Sequence, residues 1–324
     1  KFTYHVNYND NFLYQIKIHI MINKFINSIK KLPTSVIAII LMIVSGMCAS
    51  TMHCLIRIET LENHPFQVAF FRTVFVLIIF LPIVFKEGVS SLKVVDKKLQ
   101  FYRAIVGSGA MCCMFFGISI TELAKATALL FTVPIFSTIL AIIFFKEIVG
   151  VRRWIAMFVG LIGAMIVIRP DIDLGLGPMV ILCGSIIWSS SLLMAKKLTT
   201  TETNTSMTFW QAAGLIPATL IVSIPYLKLP NLEQLFICFL IAVTGTLTHF
   251  CLNAALARAE ISSLLPLDYL RLIWSVSLGF VFFSEVPLNT IWLGSALIII
   301  ATTYIAYRQL KKSKLTSKEI NTNI

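Results

Sequence analysis

Asp268 and Arg271 are the residues of this sequence best placed to do chemistry. They are opposite charges three positions apart inside the apolar stretch 264–292, LLPLDYLRLIWSVSLGFVFFSEVPLNTIW. On a helix that spacing puts both on one face, where they can pair. A charge in hydrocarbon costs about 2.5–3.5 kcal/mol at mid-membrane, so it faces protein interior or water. The chemistry on offer is recognition. An anion beside a cation suits a zwitterion, such as an amino acid or its nucleoside-linked derivative. The pair is expected to line a cavity; the alternative is an internal ion pair that fixes its helix and meets no solute.

Aromatic groups accompany the pair. Trp274 lies three residues beyond Arg271 and six beyond Asp268, on a similar face, whereas Tyr269 is adjacent but turned by about 100°. Trp188 and Trp210 sit in other apolar runs. Such rings either stack on a flat ring or face a cation, or they simply pack. Arg72 either meets a solute carboxylate or snorkels to the surface. His53 and His249 read as packing residues. The chain has no HExxH, Asp-x-x-Asp, G-x-S-x-G or nucleotide-binding loop, which counts against a membrane-embedded lipid-modifying enzyme. No cofactor or metal is expected. The seven cysteines, all in apolar runs and without metal-ligand spacing, read as packing residues.

The elements that must position these groups are membrane spans. Hydrophobic residues make up 57% of the chain, charged residues 13%, and the mean hydropathy is +0.87. Soluble domains carry about 25% charged residues. Ten apolar runs of helix length are visible, at 34–55, 66–85, 100–120, 124–145, 151–169, 176–195, 206–227, 234–253, 262–283 and 288–307. Each suits about 30 Å of hydrocarbon, where only a helix satisfies its own backbone. With an even number of spans, 21 Lys and Arg fall on the side of the N-terminus and four on the other. That bias puts both termini in the cytoplasm. It also explains the net charge of +12 without nucleic acid.

The stretch 264–292 has an earlier copy at 126–154, ATALLFTVPIFSTILAIIFFKEIVGVRRW. Phe144-Phe145 meets Phe282-Phe283, Glu147 meets Glu285, and Trp154 meets Trp292. The glutamates stand just before a new helix, where a carboxylate can satisfy free N–H groups. The two tryptophans read as interfacial anchors. Leu130 and Val133 stand where the second copy has Asp268 and Arg271. Five spans per half would invert one half relative to the other, and such repeats place a transporter's site between them. Pro134 and Pro266 lie inside the repeated helices and free backbone carbonyls there.

AFFRTVF in span 2, the Ala-x-Ala-x-Ala-Leu-Leu start of span 4, the FFKE and FFSE exits and LDYLRL–SEVP in span 9 resemble the drug/metabolite transporter superfamily, ten-helix type with two EamA domains. The resemblance covers residues 34–308. It implies an all-α integral membrane protein, ten helices around a central cavity, and alternating access. HPFQVAFFR and span 9 are similar to rickettsial S-adenosylmethionine uptake carriers.

The expected layout is a polar segment at 1–33, with Met21 reading as a bacterial start, two five-helix repeats at 34–169 and 176–308, and a basic cytoplasmic tail at 309–324. The expected function is a secondary transporter of a small organic solute in the bacterial inner membrane. S-adenosylmethionine uptake or exchange leads, and amino-acid, amine or drug export is the alternative. The partners are the solute and membrane lipid, and the sequence is compatible with a homodimer.

Overall fold

The computed structural model describes residues 33–168 and 175–285, with scattered positions between 293 and 304. Trp292, most of the expected span at 288–307 and the basic tail lie outside the described residues. Among the described residues the chain is all-helical. The helices are α1 (Thr34–Glu59), α2 (Pro65–Glu87), α3 (Lys97–Ser119), α4 (Leu123–Leu130), α5 (Val133–Phe145), α6 (Val151–Ile168), α7 (Leu176–Leu198), α8 (Asn204–Ser223), α9 (Leu232–Leu256), α10 (Ile261–Leu264) and α11 (Arg271–Phe283). Seven of the described helical segments are long and apolar enough to cross a membrane.

The boundaries have local causes. Asp96 accepts from Leu99 N at 3.0 Å and starts α3, Thr203 accepts from Ser206 N at 3.1 Å and starts α8, and Asn231 with Gln234 forms a capping box at α9. Pro65 opens α2, and His64 Nδ1 accepts from Phe66 N at 3.4 Å while its ring stacks on Tyr226 at 3.5 Å. The outward surface is apolar, as lipid requires: Phe144 is 70% exposed and Val281 69%.

Helices of the first half pack mainly on helices of the second: α1 on α9, α2 on α8, α3 on α7, α4 on α11 and α5 on α7. Among the described residues, two large buried apolar groups and two smaller ones result. One large group gathers Ala38, Leu192, Leu256 and Leu264; the other gathers Ile56, Phe115, Ile118 and Ile181. The cavity lies between them, since its wall draws on both.

The repeated stretches are not the continuous helices expected over 124–145 and 262–283. The first breaks between Leu130 and Val133. The second runs as α10, then a 3₁₀ segment Leu265–Leu270, then α11. Pro134 falls in the first turn of α5 and Pro266 in the first turn of the 3₁₀ segment, where a missing N–H costs nothing. The two breaks meet. Phe131 and Tyr269 touch edge to face at 5.0 Å, and the Tyr269 hydroxyl donates to the Phe131 carbonyl at 3.4 Å. Ser189 Oγ donates to the Val133 carbonyl at 3.3 Å, and Ser50 Oγ to the Arg271 carbonyl at 3.1 Å, so each resumed helix is held by a serine of the other half.

The two exits also match. Lys146 (φ 53°) and Ser284 (φ 54°) end their helices in the left-handed conformation, and the N–H of Glu147 and of Glu285 turns back to Ala141 O and Gly279 O. The glutamates do cap helices, but not those that follow them in sequence. Glu147 Oε1 accepts from Ile261 N, the first residue of α10, at 3.3 Å. Glu285 Oε1 accepts from Leu123 N, the first residue of α4, at 3.4 Å and pairs with Arg57. Each copy caps the other. Lys196 joins the Glu147 end, donating to the carbonyls of Leu256 and Ala259.

Candidate functional site

Asp268 and Arg271 are presented at the broken second copy. Asp268 lies in the 3₁₀ segment, and Arg271 opens α11. Their Oδ2–Nη1 separation is 3.2 Å, with side chains 14% and 10% exposed. A 3₁₀ turn repeats every three residues, which aligns the two groups. The Arg271 guanidinium also lies 5.3 Å from the Phe131 ring centre. On the other side α1 approaches at Gly46, where a Cβ would stand 3.2 Å from Arg271 Cβ and 3.6 Å from Asp268 Oδ1. The Arg271 main chain is fixed by Ser50, as above. The pair is held by its neighbours and faces the cavity.

The same wall carries Arg72 of α2 and Arg103 of α3, 6% and 2% exposed. Arg72 donates to the Met111 sulfur at 3.0 Å and stands 6.0 Å from the Phe115 ring. Arg103 donates to the Met207 carbonyl at 3.1 Å. The Nε atoms of both, His53 Nδ1 and Gln211 Oε1 are buried without a partner. Trp188 contacts His249 edge-on at 5.4 Å, and both line the same cavity. The arrangement offers charged and amide groups for binding and an indole for a flat ring; nothing in it resembles a nucleophile with its base.

The sequence profile of the EamA-like transporter family matches this chain twice, over residues 36–169 and 175–307. The chain belongs to the EamA-like transporter family. It is a multi-pass membrane protein of a family that transports solutes rather than catalysing reactions. A protein of Rickettsia bellii named S-adenosylmethionine uptake transporter is 30% identical over 76% of this chain and 86% of its own. A protein of Vibrio cholerae named riboflavin transporter is 31% identical over 59% of this chain and 64% of its own. A solved crystal structure, 15% identical, superposes with a TM-score of 0.70 over 84% of this chain and 98% of its own, a likeness of fold.

Within this EamA fold, four of the residues singled out from sequence share the cavity: Asp268, Arg271, Arg72 and Trp188. Three others lie elsewhere. Trp274 is 42% exposed and is not part of the cavity wall. Tyr269 is fully buried against Phe131, Met157 and Leu272. Trp210 is 41% exposed, donates to the Leu92 carbonyl at 2.7 Å and lines a separate hollow with Lys97 and Gln100. Trp154 packs on Phe158 at 5.9 Å. His53 and His249, read from sequence as packing residues, line the cavity, and Arg103 is there although its charge reads as part of a cytoplasmic loop edge. One signal could have found it: Arg103, Gly107, Met111 and Met114 recur at three- and four-residue spacing on one helix face.

Proposed function

We propose that this EamA-family chain is a secondary carrier of the bacterial inner membrane. It binds a small organic metabolite in the central cavity between its halves and opens the cavity to one side at a time. The observation that carries this reading is the Asp268–Arg271 pair, buried, held at the meeting point of two broken helices and facing the cavity. Interrupted helices with polar groups at mid-membrane are how carriers build solute sites. Asp268 and Arg271 hold opposite charges of the solute, and Trp188 lies against its ring.

The reading includes ten spans arranged as two inverted five-helix repeats, 34–169 and 176–308, with both termini cytoplasmic. Support comes from contacts that survive exchanging the halves: α1 on α9 becomes α7 on α3, Ser50 on Arg271 becomes Ser189 on Val133, and the two glutamates trade caps.

S-adenosylmethionine is the solute to test first, supported by the Rickettsia bellii relative's name and by a carboxylate, an ammonium and an adenine that suit Arg271, Asp268 and Trp188. The Vibrio cholerae relative favours a second reading, a solute that is mostly flat ring. The test is uptake of radiolabelled S-adenosylmethionine into bacterial cells lacking their own uptake. Saturable uptake that falls to background in Asp268→Asn and in Arg271→Gln, with both variants in the membrane, is expected. Removing one partner of a buried pair costs about 3–5 kcal/mol in stability. The double variant Asp268→Asn/Arg271→Gln removes that cost. Full uptake by the double variant would take the pair out of solute binding.

A further inference from the structure

We propose that the Arg72–Arg103 side of the cavity is an anion site, additional to the Asp268–Arg271 pair, that takes a carboxylate or phosphate group. The inference rests on the carrier reading above and extends it.

Among the described residues, three guanidinium groups and one carboxylate line the same cavity, so this part of its wall carries two uncompensated positive charges. The one carboxylate is committed to Arg271 at 3.2 Å. Arginine keeps its proton in proteins, so the excess cannot be relieved by neutralisation. Arg72 and Arg103 are 6% and 2% exposed, and water cannot compensate them as it does on a surface. Their present acceptors are weak ones. Arg72 has a thioether sulfur at 3.0 Å, and Arg103 has one neutral carbonyl at 3.1 Å. The Nε of each is buried and unpartnered. Buried polar groups in folded proteins are almost always paired, and buried charges most of all. Two such guanidiniums lining one cavity are therefore complementary to an anion that enters it.

The chemistry of the ligand follows from the donors. A guanidinium presents a planar fork that matches two oxygens of a carboxylate or phosphate. His249 lies within electrostatic reach of both arginines and Gln211 supplies a neutral amide, so more donors than one fork are at hand. The anionic group has two conceivable sources. It belongs to the transported solute, as in a nucleotide or dicarboxylate, or it is a separate small anion that travels with the solute. S-adenosylmethionine carries one carboxylate against an ammonium and a sulfonium. It cannot offset the cavity by itself and would need the companion anion.

The test uses the purified full chain in detergent, its melting followed at constant ionic strength set with a bulky sulfonate. Inorganic phosphate, adenosine monophosphate and adenosine are titrated. Phosphate or adenosine monophosphate should raise the melting temperature saturably, and adenosine should not. Arg72→Gln and Arg103→Gln should each weaken the apparent affinity by about thirtyfold or more. Asp268→Asn, which removes the competing negative charge, should strengthen it, whereas general loosening of the cavity would weaken it. Absence of saturable stabilisation in the unaltered chain, or equal affinity in both arginine variants, overturns the proposal. Should the glutamine variants fail to fold, Arg103→Lys replaces them: it keeps the charge and loses the fork, and unchanged affinity there together with no gain in Asp268→Asn is the overturning result. Proteoliposomes then separate the sources. S-adenosylmethionine flux that requires external phosphate identifies a separate anion; phosphate-independent flux that adenosine monophosphate blocks places the anion on the solute. If anion binding is intact and no solute moves, the carrier reading fails and the site stands.

Discussion

At the scale of single residues, the breaks in the repeated helices depend on a few close fits. Tyr269 is buried against Phe131 because α6 comes close at Gly160, where a Cβ would lie 2.5 Å from Tyr269 Cδ2. Gly160→Val should therefore lower the melting point by the equivalent of about 1–3 kcal/mol, the usual cost of overpacking; tryptophan fluorescence on heating measures it. His64 offers a test with pH. Its Nδ1 accepts from Phe66 N–H, which requires a neutral imidazole, and burial holds its pKa below the usual value. The folded chain thus binds fewer protons there than the unfolded one. The stabilisation is complete above the unfolded imidazole pKa of about 6.5 and is lost as pH falls below it. Melting points taken between pH 7.5 and 5.5 should fall less in His64→Asn, which keeps a cap without titrating. The sequence singles out the ion pair, Arg72 and Trp188, which line the cavity, because a charge or indole in an apolar run is conspicuous. Sequence reasoning misplaced Trp274 because three residues on an α-helix still differ by about 60°, enough to carry a ring from the cavity wall to the outer surface. It passed over Arg103 because a positive charge near a span end has an ordinary explanation in topology.

At the scale of elements, the seven long apolar segments among the described residues were legible and the interruptions of the repeated helices were not. An apolar run reads alike whether its helix is continuous or broken at Leu130–Val133, since lipid dictates composition and not local winding. The prolines were the visible clue: Pro134 sits just past the first break and Pro266 inside the second. Capping across copies was hidden as well, because sequence spacing points each glutamate at its nearest neighbour. The geometry makes a sharp comparison. Glu285→Gln keeps an acceptor for Leu123 N–H and loses the charge that holds Arg57; Glu285→Ala loses both. Alanine should cost about 1 kcal/mol more than glutamine, the worth of an N-cap. The ion pair adds little, since its side chains are 19% and 23% exposed. Equal melting points for the two variants would show that Leu123 gains nothing from the cap.

At the scale of the whole molecule, the composition alone excluded a soluble fold, and the doubled stretch pointed to two related halves. What composition could not reveal is that the halves interlock instead of standing side by side. With 21 Lys and Arg on the expected cytoplasmic side and four on the other, a reporter that is active only outside the cell should be silent when fused after residue 308 and active after residue 228. The reverse pattern would invert the inner and outer assignments throughout. The exchanged caps also bear on how the chain is made. Leu123 and Glu285 are 162 residues apart, and Glu147 and Ile261 are 114 apart. At a synthesis rate of about 5–20 residues per second, the start of α4 waits roughly ten to thirty seconds in the bilayer before the ribosome delivers its cap. During that interval the start of α4 stands without the carboxylate that caps it in the finished chain.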